Sequence, residues 1–108
     1  MKKRKPITTK WQEWKGDYYL WDSNGDLPAG LYKDWNGEDE PTFYRVQIHP
    51  VDLDLMAIVI GRISIAEFIP LEAQALCELA LKQKQTLRWW RTNKDSWFQD
   101  NFISKGAQ

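Results

Sequence analysis

The chain is poor in the residues that most often carry catalysis or bind metals. It has one cysteine, Cys77, and one histidine, His49, among 108 residues. A lone cysteine permits no disulfide framework and no cysteine-based metal spacing, so a reducing compartment is expected. Cys77 lies among leucines, which predicts a packing role. A catalytic triad would have to use His49, which is expected to be an exposed histidine at a strand end beside Asp52 and Asp54.

Long apolar runs and glycine-rich loops are also missing. The longest apolar run covers residues 55–60, far short of the ~20 residues that span a bilayer. The basic start is followed by polar residues instead of an apolar stretch, which predicts no secretory signal. No phosphate-binding loop or dinucleotide fingerprint occurs. We therefore expect a soluble, cytoplasmic protein, or a nuclear one in a eukaryote, that is not an enzyme and has no membrane partner and no cofactor.

One stretch partly matches a calcium-binding loop. Asp22, Asn24 and Asp26 occupy its first three side-chain ligand positions. The sixth position should be glycine and is Leu27, and the twelfth should be glutamate and is Lys33. The sequence therefore predicts no metal site.

Charge and aromatic content are the unusual features of the composition. Net charge is zero, yet residues 1–10 carry five basic and no acidic groups, and residues 11–60 carry three basic and ten acidic groups. Seven Trp, four Tyr and four Phe exceed what one small core needs. Spare rings and separated charges predict binding surfaces.

Length predicts one globular domain, residues 9–108, preceded by a flexible basic arm, residues 1–8. The Thr9 to Gln12 spacing favours one helical turn, although alternation would suit a strand almost as well. From residue 17 the residue pattern repeats every two positions, as in a β-strand. Asn24-Gly25 then predicts a hairpin that places Tyr18 opposite Leu31 and Tyr19 opposite Gly30.

The next segments alternate between loop and strand. Residues 34–42 form a polar acidic loop, and residues 43–49 a half-buried strand. Residues 53–60 continue as a more apolar strand. Gly61 is then either part of a turn or a bulge in one long strand, and we expect residues 63–68 to be a strand.

Residues 70–93 are predicted to form one long helix that begins at Pro70. Its docking face carries Leu76, Leu79, Gln83, Leu87 and Trp90 at helical spacing. A short final helix capped at Asp95 or Ser96 should follow. The predicted fold class is α+β, an antiparallel meander of four to five strands with one long C-terminal helix packed on it and a short final helix.

The candidate site lies on this helix and on the arm. Lys84, Arg88 and Arg91 follow one another at i, i+4 and i+7 with Trp89 beside them, and we call this group the basic ridge. The predicted nucleic-acid-binding residues are Lys2, Lys3, Arg4, Lys5, Lys84, Arg88, Trp89 and Arg91. The alternative is a protein adaptor or inhibitor that uses exposed aromatic residues and the acidic residues 34–54.

Overall fold

A computed structural model describes residues 6–35, 37, 39–49 and 57–103. Five strands form one antiparallel sheet in the order β1-β2-β3-β4-β5. Their bounds are β1 Thr9–Trp14, β2 Asp17–Asp22, β3 Ala29–Asp34, β4 Phe43–Ile48 and β5 Ile58–Ser64. A 3₁₀ turn, Ile65–Glu67, leads to α1, Pro70–Gln83, and then to α2, Leu87–Phe98, which ends in a π-helical turn, Gln99–Ile103. The predicted fold class is confirmed.

The sheet has one covered face and one open face. Every buried apolar strand side chain lies on the covered face: Leu20, Ala29, Leu31, Val46, Ile48, Ile58, Ile60 and Ile63. There α1 packs on β3 and β4, and α2 packs on β5. The face is apolar because successive side chains of each strand point to opposite faces of the sheet. The strand register places the apolar side chains of all these strands on the same face.

Two turns set the register of the first three strands. Tyr18 lies opposite Leu31 and Tyr19 opposite Gly30, as predicted from the Asn24-Gly25 turn. The helical turn favoured between Thr9 and Gly16 was wrong, and the alternative of a strand is correct, because Thr9–Trp14 forms β1. Lys15 and Gly16 have φ of 51° and 83° and connect β1 to β2 in a two-residue hairpin.

The β4–β5 pair contains the bulge that was one of two predictions for Gly61. Val46 pairs with Gly61 and Gln47 with Val59, so the register shifts by one residue. Of the strand predicted at residues 53–60, residues 58–60 belong to β5 and residues 53–56 lie outside the described residues. The strand predicted at residues 63–68 was wrong beyond Ser64. The Ser64 hydroxyl accepts a hydrogen bond from the Ala66 N–H at 3.3 Å and begins the 3₁₀ turn.

The helical segment begins at Pro70 as predicted, but it is interrupted. Lys84 adopts a left-handed conformation with φ of 49° and ends α1. Thr86 begins α2, and its side chain accepts a hydrogen bond from the Trp89 N–H at 3.1 Å. The break separates α1, which packs on β3 and β4, from α2, which packs on β5. Asp95 and Ser96 consequently lie inside α2 and do not begin a separate helix.

The predicted docking face is correct in part. Leu76 and Trp90 are buried, whereas Leu79 and Leu87 are partly buried. In α1 the buried positions also include Ala73, Cys77 and Ala80, small side chains that allow the helix to approach the sheet closely.

Leu76→Ala should lower the free energy of unfolding by ~2 to 5 kcal/mol, because it removes a buried side chain and leaves a cavity. Leu71→Ala is the matched control, since Leu71 is on the same helix and is 77% exposed. It should change stability by less than about 0.5 kcal/mol. Urea denaturation measures both, and equal losses would contradict the assigned helix face.

Candidate binding surface on the open sheet face

The basic ridge is divided by the helix break. Lys84 lies at the end of α1, whereas Arg88 and Arg91 are exposed on α2, so the three do not form one row on a continuous helix. The Trp89 ring is partly buried and contacts the Trp90 ring edge-on, with centroids 4.9 Å apart. The ridge therefore offers exposed cations but no fully exposed aromatic ring. Lys2, Lys3, Arg4 and Lys5 of the predicted site lie outside the described residues.

The largest group of accessible rings lies instead on the open face of the sheet, where none of the strand side chains is buried. Its side chains alternate with those of the covered face. In strand order the members of the open face are Lys10, Gln12, Trp14, Asp17, Tyr19, Trp21, Gly30, Tyr32, Asp34, Phe43, Arg45, Gln47, Val59, Arg62 and Ser64.

Tyr32 lies at the centre of the open face. Its ring covers Gly30, and a Cβ on Gly30 would collide with the hydroxyl end of that ring. The Tyr19 ring meets the Tyr32 ring at 67°, with centroids 5.4 Å apart. Glycine at this position allows the ring to lie against the backbone, and Tyr32 remains partly exposed.

Trp21 extends the aromatic surface toward β1. Its ring stacks on Tyr19 at 21°, with centroids 6.3 Å apart. Its indole Nε1–H donates a hydrogen bond to Gln12 Oε1 at 2.9 Å, which fixes the ring orientation. Trp21 is 39% exposed and Trp14, on β1, is 56% exposed. Together the rings form a surface on which planar groups can stack.

Cations and amides border these rings. Arg45 lies directly opposite Tyr32, and Gln47 lies opposite Gly30. The Arg45 Nε is buried and has no hydrogen-bond acceptor among the described residues. Arg62, the next residue across, pairs with Asp34 at 3.2 Å. Arg45 thus places a positive charge beside the central ring.

Burial changes the pKa of both residues considered for nucleophilic catalysis, Cys77 and His49. Burial raises the pKa of the Cys77 thiol to about 12, so the thiol is protonated at neutral pH. His49 is partly buried, not exposed as predicted, and burial lowers its pKa. Its Nε2 has no partner among the described residues. Asp52 and Asp54 lie outside the described residues.

The stretch that resembles a calcium loop is organised as a turn. The Asp22 Oδ1 accepts hydrogen bonds from the N–H groups of Asn24 and Asp26 at 2.8 and 3.0 Å. Among the described residues, no three His, Cys, Asp or Glu side chains cluster as metal ligands would. In the same part of the chain no helix has the length and hydropathy needed to span a bilayer.

The open face was not among the predicted sites, because the predicted site lies on the helix and on the arm. The signal was present in β2 and β3, since the predicted Tyr19–Gly30 pair places Trp21 and Tyr32 on the same side. What the sequence did not reveal is which side the helices cover.

Comparisons with known protein families, with characterised proteins and with solved structures gave no match for this chain.

The environment of Tyr32 predicts a pH dependence. Burial, and then the neighbouring Tyr19 and Asp17, raise the pKa of Tyr32 to about 12. The folded state thus holds this proton more tightly than the unfolded state, whose tyrosine pKa is about 10. The resulting stabilisation is complete below about pH 10 and is lost as the pH rises toward 12.

Tyr32→Phe keeps the ring but removes the ionisable hydroxyl. Between about pH 9 and pH 11 its unfolding free energy should fall less than that of the unmodified chain, because the other titrating groups are common to both. Urea denaturation at the two pH values measures the difference. Identical losses would mean that Tyr32 titrates equally in the folded and unfolded states.

Proposed function

We propose that the protein is a small non-catalytic binding module that takes single-stranded nucleic acid on the open face of its sheet. The observation that carries the proposal is the row of accessible rings formed by Tyr32, Tyr19 and Trp21 with Arg45 beside it. Stacking on aromatic rings suits every base, since each base has a π-face, and it stabilises binding by ~1 to 3 kcal/mol per base.

Two groups of cations supply the phosphate contacts in this proposal. Lys10 and Arg45 lie on the open face itself. The arm with Lys2, Lys3, Arg4 and Lys5 precedes β1, the strand that borders the open face. Because few of the cations lie on the sheet, the salt dependence of binding comes mainly from the arm.

The basic ridge is a weaker candidate for the same ligand. Arg88 and Arg91 belong to the helix layer, on the other side of the sheet from Tyr32. Trp89 packs on Trp90, which limits the area of its ring that a base can reach. In this proposal these cations attract the ligand from a distance and make no direct contact with it.

A protein partner is the second candidate. Trp35 follows β3, is 47% exposed and precedes a loop that contains Asp39 and Glu40. Exposed tryptophans next to arginine and tyrosine are also what protein interfaces use as binding hot spots. This observation favours an adaptor that binds a basic protein surface.

Anisotropy of a labelled single-stranded oligothymidine of about eight nucleotides tests the first proposal. Tyr32→Ala and Trp21→Ala should each weaken binding by ~1 to 3 kcal/mol while leaving the logarithmic salt slope nearly unchanged. Neutralising the arm with four alanines should reduce that slope by up to about four, which is one unit for each phosphate-binding cation removed.

Arg88→Ala combined with Arg91→Ala is the control on the helix side, and it should leave affinity nearly unchanged. If this pair loses affinity and the sheet variants do not, the basic ridge is the site. If the unmodified chain does not bind at low salt, the nucleic-acid proposal fails and the protein adaptor remains.

A further inference from the structure

A second surface lies at one end of the sheet, where β3 and β5 end and β4 begins. Four apolar side chains at this end are exposed by between 41% and 77%: Trp35, Ile65, Ile69 and Leu71. Exposed apolar side chains that lie together on a surface mark sites of interaction. We call these four residues the end patch when taken with the exposed carboxylates around them, Asp39, Glu40, Glu67 and Glu72.

Backbone hydrogen bonds bring the two segments of the end patch together. The Ile65 N–H donates to the Thr42 carbonyl at 3.0 Å, and the Thr42 N–H donates to the Asp34 carbonyl at 3.1 Å. Asp34 immediately precedes Trp35. The segment that follows β3 and the segment that follows β5 are therefore neighbours.

Phe68 anchors the segment between β5 and α1. Its ring stacks on the Tyr44 ring at 13°, with centroids 3.7 Å apart. Its N–H donates to the Ile65 carbonyl at 3.3 Å. Phe68 is partly buried, whereas its neighbours Glu67 and Ile69 are exposed. Because the segment is held in place, a partner does not have to order it on binding.

The end patch is rich in carboxylates. Residues 33–43 and 62–72 contain six carboxylates and two cations, Lys33 and Arg62. The four carboxylates of the end patch form no ion pair within the described part of the chain. Glu67 and Glu72 alternate with the exposed apolar residues between β5 and the first turn of α1.

Both cations of these segments already have partners. Arg62 pairs with the Asp34 carboxylate at 3.2 Å. The Lys33 Nζ donates a hydrogen bond to the Lys15 carbonyl at 2.7 Å, in the turn between β1 and β2. A partner with basic side chains next to its apolar ones would therefore meet complementary charge at the end patch.

The position of the end patch favours recognition through side chains. The patch lies at the ends of strands, whereas the unpaired backbone groups of the sheet lie along its outer strands, β1 and β5. An α-helix satisfies its own backbone hydrogen bonds and binds a surface through its side chains. An amphipathic helix with lysines or arginines beside its leucines matches both the apolar and the acidic residues.

A lipid surface is the other kind of partner that takes exposed Trp, Ile and Leu side chains. Membrane surfaces that contain anionic lipids have a negative potential. This potential would repel the carboxylates of the end patch, so the charge favours a basic protein segment.

We propose that the end patch binds a basic amphipathic helix of a partner protein. The apolar side chains of the helix contact Trp35, Ile69 and Leu71. Its lysines or arginines pair with Glu67 and Glu72. The proposal rests on the protein-partner candidate for the function and extends its surface from Trp35 to the segment between β5 and α1. It does not depend on nucleic-acid binding by the open face.

The probe is a fluorescein-labelled peptide of about 18 residues, or five helical turns, with leucines on one face and lysines on the other. Binding is measured by anisotropy with the full chain. It should weaken as the salt concentration rises, because salt screens the ion pairs. A peptide with glutamate in place of each lysine should bind about tenfold more weakly or not at all.

Glu72→Lys tests the acidic part of the end patch. It should weaken binding of the lysine peptide by about fivefold, because it places like charges together. Glu78→Lys is the matched control, since Glu78 is exposed on the same helix and lies six residues beyond Glu72. It should bind the peptide like the unmodified chain.

Leu71→Ala tests the apolar part. It should also weaken binding by about fivefold, because it removes an exposed side chain that contacts the helix. Since Leu71→Ala is expected to leave stability nearly unchanged, unfolding would not account for the loss. Ile7→Ala truncates another exposed apolar side chain, which precedes β1 at the opposite end of the sheet, and should bind normally.

Three outcomes would overturn the proposal. The first is that the unmodified chain does not bind the lysine peptide. The second is that Leu71→Ala and Glu72→Lys bind it normally; if Trp35→Ala then loses binding, the protein-partner candidate stands and only its extension fails. The third is that neutral phosphatidylcholine vesicles sediment the unmodified chain but not Leu71→Ala, which would make the end patch a lipid-binding surface.

Discussion

The structure depends on one constraint, the requirement that the alternating strands place their apolar side chains on a single face. Leu20, Leu31 and Val46 share that face because the strands are in register, and a slip of one residue would turn each of them toward solvent. Burial of this face against α1 and α2 supplies the main stabilisation of the domain. Since the helices occupy one side, the polar and aromatic side chains of the opposite side remain accessible, and the candidate site is a consequence of the same alternation.

Glycines adapt each face to the rings that lie on it. Gly61 lies in the β5 bulge and leaves room for Phe98, so α2 can pack closely on the last strand. Gly30 leaves room for Tyr32 on the open face. In the first case the ring closes the core, and in the second it forms the centre of an accessible surface. At both positions a strand residue without a side chain leaves room for an aromatic ring, on the covered face at Gly61 and on the open face at Gly30.

Much of the fold could be predicted from local signals, and the errors have physical causes. The Asn24-Gly25 turn and Pro70 act locally, so the β2–β3 register and the start of α1 were correct. The break between α1 and α2 at Lys84 could not be predicted, because no glycine or proline marks it. The break arises where the chain must turn from β4 toward β5. The sequence left β1 undecided between helix and strand, because the positions of Trp11 and Trp14 suit either structure. The open face required tertiary information, namely the side on which the helices pack.

The central claim is that ligands bind to the open face of the sheet and not to the helix layer. The indole N–H signals of the tryptophans in a ¹⁵N-labelled sample test it directly, because Trp21 lies on the open face whereas Trp90 and Trp97 are buried residues of α2. On addition of a single-stranded oligonucleotide, binding to the open face should shift the Trp14 and Trp21 signals and leave the Trp90 and Trp97 signals unchanged. A shift confined to Trp89, with Trp14 and Trp21 unchanged, would contradict it.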